Sequence, residues 1–178
     1  MSYSNLISIN KPIVLVGMMG AGKSTVGTRL AKKLRVPFYD TDNLVQEMAG
    51  CSIDEIFKYA GEEFFRTKER QVVEELLNLT NCVISTGGSA FIDPINRNLI
   101  KEKSISIWLR ADYDTILERV SRRNTRPTLK TGNKADLVEQ LIEERYPIYA
   151  EAHIAVNSGD GPHMLIVDDI IQKIAEFK

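Results

Sequence analysis

The chain has 178 residues, 43% of them hydrophobic and 26% charged, with a formal net charge of −1. That is the make-up of one globular domain with a sizeable core, and a near-neutral molecule has no overall electrostatic attraction for nucleic acid or an anionic membrane. The two cysteines, Cys51 and Cys82, are far apart and lack metal-ligand spacing, which argues against a disulfide framework or a zinc site and for a reducing compartment.

Taken in order, residues 1–11 form a polar lead-in without the basic stretch of a signal peptide. The first apolar run, Ile13-Val14-Leu15-Val16, ends at Gly17 after four residues, too short to span a membrane. The cytoplasm is the expected location, and a monomer the expected state. The apolar run reads as a buried strand. Gly17 to Ser24 then fits G-x-x-x-x-G-K-[ST], and Val26, Leu30 and Leu34 continue at helical spacing. Strand, glycine loop and helix together make a phosphate cradle: Gly17, Gly20 and Gly22 let backbone amides approach one anion, and the helix N-terminus adds its dipole. Lys23 is placed to reach β/γ-phosphates, and Ser24 to ligate Mg²⁺. On an exposed loop, Lys23 is expected to do little for stability.

Val36 to Tyr39 reads as a second strand ending in Asp40-Thr41-Asp42, followed by a short helix to Gly50. Two carboxylates two apart at a strand end can face the same way. Alone, Asp42 reads as the N-cap of the next helix; beside a phosphate loop Asp40 and Asp42 read as a functional pair, one holding a metal-bound water and the other accepting a proton from a substrate hydroxyl. Ser52 to Glu55 has capping-box spacing. Gly61 breaks the chain, and Glu62 to Leu77 forms a helix with Phe65, Val72 and Leu76 on one face. Arg66 in that helix, with Glu62 and Glu63 before it and Arg70 after it, reads as part of a solvated ion-pair face. Cys82 to Ser85 is a third strand running into Gly87-Gly88-Ser89, either a tight turn or a place where backbone approaches a ligand.

Asp93-Pro94 opens a helix, Ile105 to Leu109 is a fourth strand, and a helix runs from Asp112 to about Arg122. From Arg119 to Lys134 there are six Lys/Arg and no acidic residue. With no interleaved aromatics this basic loop is a poor nucleic-acid patch and a better phosphate-covering lid. In the helix after it, Val138, Leu141, Ile142, Arg145 and Tyr149 recur at helical spacing, so Arg145 lies on the apolar stripe. An inward guanidinium needs an anion, either a substrate or an internal carboxylate. A strand at His153 to Val156 and a last helix complete the chain. His153, His163, Trp108 and the cysteines read as structural. Five short strands alternating with helices argue for a parallel sheet covered on both faces, with its site at the strands' carboxyl ends.

Together these residues resemble the shikimate kinase family along nearly the whole chain. The loop Gly17 to Ser24, Asp40-Thr41-Asp42 (D-T-D), Gly61 to Arg66 (G-E-x-x-F-R), Thr86-Gly87-Gly88, Arg126-Pro127 (from R-P-L-L) and Glu144 to Tyr149 (E-R-x-P-x-Y) follow the family's motifs in order. The resemblance implies a nucleoside-monophosphate-kinase-like α/β fold with sheet order 2-3-1-4-5. It also implies ATP-dependent phosphorylation of the 3-hydroxyl of shikimate, in the route to aromatic amino acids. It implies one kinase domain over 1–178, with core 11–121 and 135–178 and a mobile lid at about 122–134. ATP would be held by Gly20, Ala21, Gly22, Lys23, Ser24 and Thr25, with Arg122 near adenine and Arg126 on the phosphates. Mg²⁺ would sit on Ser24 with support from Asp40. Shikimate would be held by Asp42, which also acts as base, by Arg66 and Arg145 on the carboxylate, and by backbone at Gly87 and Gly88. Two departures stand out. Ser89 replaces the third glycine and would resist a positive φ by roughly 1–2 kcal/mol, and Thr128 replaces a lid leucine. A gluconate or nucleoside-monophosphate kinase, and a regulatory module without catalysis, are the competing readings.

Overall fold

The four residues of β1 (Ile13–Val16) are all buried, as β-branched and leucine side chains in a central strand should be. The computed structural model, which describes residues 10–122 and 133–177, places β1 in the middle of a five-stranded sheet. The other strands are β2 (Phe38–Asp40), β3 (Val83–Ser85), β4 (Ile105–Arg110) and β5 (Ile154–Asn157). Their order is β2-β3-β1-β4-β5, and every neighbouring pair is parallel. The chain therefore builds one side of the sheet before crossing β1 to build the other, and a crevice opens at the carboxyl end of β1. This is the order the family resemblance implies.

Eight helices are described: α1 (Lys23–Leu34), α2 (Thr41–Ala49), α3 (Ile53–Tyr59), α4 (Gly61–Leu77), α5 (Pro94–Lys103), α6 (Tyr113–Arg122), α7 (Lys134–Tyr149) and α8 (His163–Glu176). Val14 and Ile84 meet Val73 and Leu77 of α4 and Ile100 of α5, whereas Leu15 lies against Gly27 of α1. Successive strand residues point to opposite faces, so α4 and α5 cover one face and α1 the other, with α8 packed beside α1.

Local signals explain the helix ends. Ser52 and Glu55 form the expected capping box on α3, and Asp93 caps α5 with Pro94 in its first turn. At α2 the cap is not Asp42. Asp40 keeps extended backbone and its side chain accepts from the Asn43 amide, so the helix starts at Thr41 and Asp42 falls inside its first turn. His153 is structural as expected: its Nδ1 meets the amide of Ser106 at 3.1 Å across the β4–β5 edge. Both cysteines are free thiols.

Candidate active site

The loop after β1 turns sharply because glycine permits it. Gly17 has φ +144°, and a Cβ there would lie 2.7 Å from the carbonyl oxygen of Leu109. The first amides of α1, from Lys23 onward, have no intrahelical acceptor and face the ligand side of such a loop. The loop's carbonyls are tied to side chains. Lys23 Nζ donates to Gly17 O at 2.7 Å and Met18 O at 2.8 Å. The Arg119 guanidinium donates to Gly20 O at 3.0 Å, and Ser158 Oγ to Ala21 O at 2.7 Å. Lys23 is only 7% exposed, so the expectation of an exposed loop lysine is wrong. The ammonium folds back because carbonyls turned outward by a tight loop need donors.

Register builds the next part of the site. Asp40 pairs with Ser85, and Ser85 with Leu15, along one edge of carboxyl ends. Ser24 Oγ donates to Asp40 Oδ2 at 2.7 Å and lies 3.4 Å from Ser85 Oγ. One carboxylate and two hydroxyls are hard oxygen donors, the chemistry Mg²⁺ prefers when phosphates and water complete its shell. This donor set fits the ion. No cluster of three His, Cys, Asp or Glu is found among the described residues, and a Mg²⁺ bound mainly through nucleotide needs none.

Asp42 is half-buried and faces the turn after β3. A Cβ on Gly87 would lie 2.5 Å from Asp42 Oδ1 and 3.3 Å from Glu69 Oε2. Glycine is needed here for close approach, since only Gly17, Gly20, Gly22, Gly50 and Gly61 have positive φ among the described glycines. Ser89 is likewise absent from the positive-φ residues. The anticipated strain at that position does not arise, because the turn uses backbone that any residue adopts.

Arg66 is not on a solvated face. Its side chain is 25% exposed; Nη1 donates to Glu69 Oε1 at 3.0 Å and to Ser89 Oγ at 2.5 Å, and Nη2 to Glu62 at 3.2 Å. The serine that replaces glycine thus becomes a partner of Arg66. Glu69 is 1% exposed and its Oε2 has no hydrogen-bond partner. Burial pushes its carboxyl up to about 7 against the pull of Arg66, and the charges of Asp42 and Asp93 push the same way. Sequence reasoning missed Glu69. The signal was there: Phe65, Glu69, Val72, Val73 and Leu76 share one buried stripe of α4.

On α7, Tyr149 Oη donates to Gly88 O and Tyr146 Oη to Ala111 O, and Trp108 meets Tyr146 edge-on at 5.1 Å. Arg145, one turn before Tyr149, shares the helix face that docks on the glycine turn. It is half-buried and has no carboxylate partner among the described residues, which removes the internal ion-pair alternative there. Arg122 pairs with Glu118 and its side chain is 76% exposed. Arg119, one turn earlier and not singled out in the sequence, is the α6 arginine that touches the phosphate loop. Arg126 and Thr128, with most of the expected lid, lie outside the described residues.

Comparison with known proteins identifies the family. The family described as Shikimate kinase matches residues 19–175. A shikimate kinase from Novosphingobium aromaticivorans is 46% identical over 173 residues, covering 95% of this chain and 90% of that protein. One from Rhodopseudomonas palustris is 48% identical over 168 residues, covering 94% and 83%. Among solved structures, shikimate kinase from Acinetobacter baumannii in complex with shikimate superposes with a TM-score of 0.93 at 35% identity, covering 98% of each chain. A gluconokinase from Sinorhizobium meliloti, at 19% identity and a TM-score of 0.58 over 93% of this chain and 91% of that one, shares the fold alone.

Proposed function

Since this chain belongs to the shikimate kinase family, we propose that its reaction runs in the crevice between the phosphate loop, Asp42 and the Gly87–Ser89 turn. It is an ATP-dependent phosphotransferase, and its product is shikimate 3-phosphate. Phosphoryl transfer needs positioning and charge neutralisation more than covalent help from protein. In this reading the amides of Gly20 to Thr25 wrap the phosphates of ATP, and the Lys23 ammonium, already held at the loop, supplies a point charge beside them. Ser24 and Asp40 hold Mg²⁺, with Ser85 adjacent. Bound there, the ion neutralises charge developing on the phosphate oxygens.

Asp42 receives the proton of the attacking 3-hydroxyl and orients it, with the Gly87 backbone beside the ring. Because Glu69 is buried and its carboxyl sits near neutrality, the charge of Asp42 meets little opposition from it below that pH. Arg66 and Arg145, on either side of the glycine turn, hold the substrate carboxylate. Arg126 reaches the phosphates from the basic segment 122–134, which closes over the nucleotide, with Arg122 toward adenine. The protein works as a cytoplasmic monomer. No described helix is long and apolar enough to cross a membrane, and the net charge of −1 gives nucleic acid no general hold.

The observation that carries the substrate assignment is Arg145, a cation on a buried helix stripe without a carboxylate partner among the described residues. A site built around a charged hydrogen bond loses about 1.5–3 kcal/mol when the partner is removed. Shikimate methyl ester, with the same ring and hydroxyls, should therefore show kcat/KM at least about tenfold below shikimate. Gluconate and AMP should release no ADP in the same coupled assay. Equal kcat/KM for shikimate and its ester would overturn the carboxylate clamp. The regulatory-module reading loses its main support, because Ser89 does not distort the site.

A further inference from the structure

Ser89 stands where the family's motif has a third glycine, so its hydroxyl is a group that the motif does not supply. The Arg66 guanidinium donates through Nη1 to Ser89 Oγ at 2.5 Å and to Glu69 Oε1 at 3.0 Å, and through Nη2 to Glu62 Oε1 at 3.2 Å. A guanidinium has two N–H donors on each Nη and one on Nε. Both donors of Nη1 are therefore spent inside the chain, and an incoming anion meets Arg66 only through Nε and the second Nη2 hydrogen.

The hydroxyl itself is half spent. Arg66 has no acceptor to offer, so Ser89 Oγ can only accept from it, and the serine's own proton points elsewhere. Among the described residues that hydroxyl is bonded by Arg66 alone. Gly87, Gly88 and Ala90 are buried, whereas Ser89 is half-buried, at the edge of the crevice. Its backbone is fixed: Ser89 O accepts from the Ile92 amide at 3.1 Å, the Ala90 amide donates to Gly87 O at 3.1 Å, and Tyr149 Oη donates to Gly88 O. Its φ is not positive, so the side chain sits there without backbone strain. A hydroxyl that accepts from a cation is polarised into a stronger donor, and an anion is the acceptor it suits best.

We propose that Ser89 binds the substrate carboxylate in this chain: its hydroxyl accepts from Arg66 and gives its own proton to the anion, adding a neutral third donor to the two-arginine clamp. This assignment rests on the kinase reading above and deepens its substrate half. The donor lies on the turn that Arg66 reaches from α4 and on which α7, the helix of Arg145, is docked. It replaces for the anion the Nη1 corner that the turn has taken from Arg66. Because the hydrogen bond is worth more to a charged acceptor than to a neutral one, Ser89 also sharpens the choice of a carboxylate over its ester.

The test measures shikimate affinity by calorimetry, and kcat/KM for shikimate and its methyl ester, in the intact protein, Ser89→Ala, Ser89→Gly, Arg66→Ala and the Ser89→Ala/Arg66→Ala double variant. Each Ser89 variant should bind shikimate about tenfold more weakly, lower kcat/KM by a similar factor and leave KM for ATP within about twofold. The preference for the acid over the ester should fall at least about threefold, and removing the hydroxyl in the Arg66→Ala background should cost about threefold more. If Ser89→Ala fails to fold, Ser89→Gly, which restores the family's residue, decides the matter. Shikimate affinity within about twofold of the parent in the folded Ser89 variants overturns the assignment, as does an unchanged preference for acid over ester. So does the absence of any further loss in the Arg66→Ala background, which would mean that the hydroxyl acts only by holding Arg66. Absence of ADP release by the parent with shikimate removes the kinase reading itself, a different failure.

Discussion

Glu69 sits where a carboxylate should not be stable: 1% exposed, with one oxygen unpartnered and Asp42 nearby. Burial raises its folded value to about 7 from an ordinary 4.5. A raised carboxyl value means that the folded chain binds the proton more tightly than the unfolded one. Its stabilising contribution is therefore complete below about pH 4.5 and is lost as pH rises through about 7. Glu69→Gln keeps an acceptor for Arg66 without the charge. Urea unfolding of both proteins from pH 5 to pH 8 should show the parent losing roughly 3 kcal/mol relative to the variant. Parallel pH profiles would mean that Glu69 is already charged when folded. The adjoining Ser89 shows how one atom changes a site's wiring: its hydroxyl takes the hydrogen bond of Arg66, where glycine has none to offer.

At the scale of elements, the anion-binding half of the site depends on two helices that meet one turn. α4 brings Arg66 to Ser89, and α7 is docked by Tyr149 on Gly88 and Tyr146 on Ala111. Replacing Arg66 or Arg145 by Ala should lower kcat/KM for shikimate about ten- to 150-fold. ADP affinity should remain within about twofold, since neither arginine bonds the phosphate loop. Because both arms grip one anion, the double-mutant cycle should be non-additive, and Lys at either position should rescue poorly. Full additivity, or a matching loss of ADP affinity, would show that the two helices act separately on the fold instead of jointly on the substrate.

Ligand and fold are coupled across the whole molecule, because the loop that would wrap ATP is tied to α6, to the β5–α8 turn and, through Lys23, to itself. A nucleotide at 100 times its Kd adds about 2.7 kcal/mol to stability. For a chain of this size that is roughly 5–10 °C in Tm, and ADP with Mg²⁺ should produce such a shift. Lys23→Met should abolish both turnover and the shift. It should also melt lower by itself, by about 2 kcal/mol or roughly 4–8 °C, since two loop carbonyls lose a charged donor. A variant that melts with the parent would show that the folded-back ammonium contributes nothing to stability. One that turns over within tenfold would remove Lys23 from phosphate binding.

Local signals in this chain were strong enough to read directly. The apolar run before Gly17, the glycine loop, the capping box at Ser52 and the Asp93-Pro94 start each depend on residues within a few positions of one another. The alternation of strands and helices limited the fold to a covered parallel sheet, and the order of motifs pointed to the family. What sequence left open was settled by contacts between distant segments. Parallel register set Asp40 beside Ser85 at the sheet's carboxyl end, where Asp40, and not Asp42, also caps α2. Burial turned Arg66 inward, placed Glu69 beneath it, and drew Lys23 onto the loop's own carbonyls. Arg119 meets both the phosphate loop and a turn 40 residues further along the chain only because the tertiary fold brings the two together. Periodicity tells which face of a helix is buried, but the partner waiting there is set by how the elements pack.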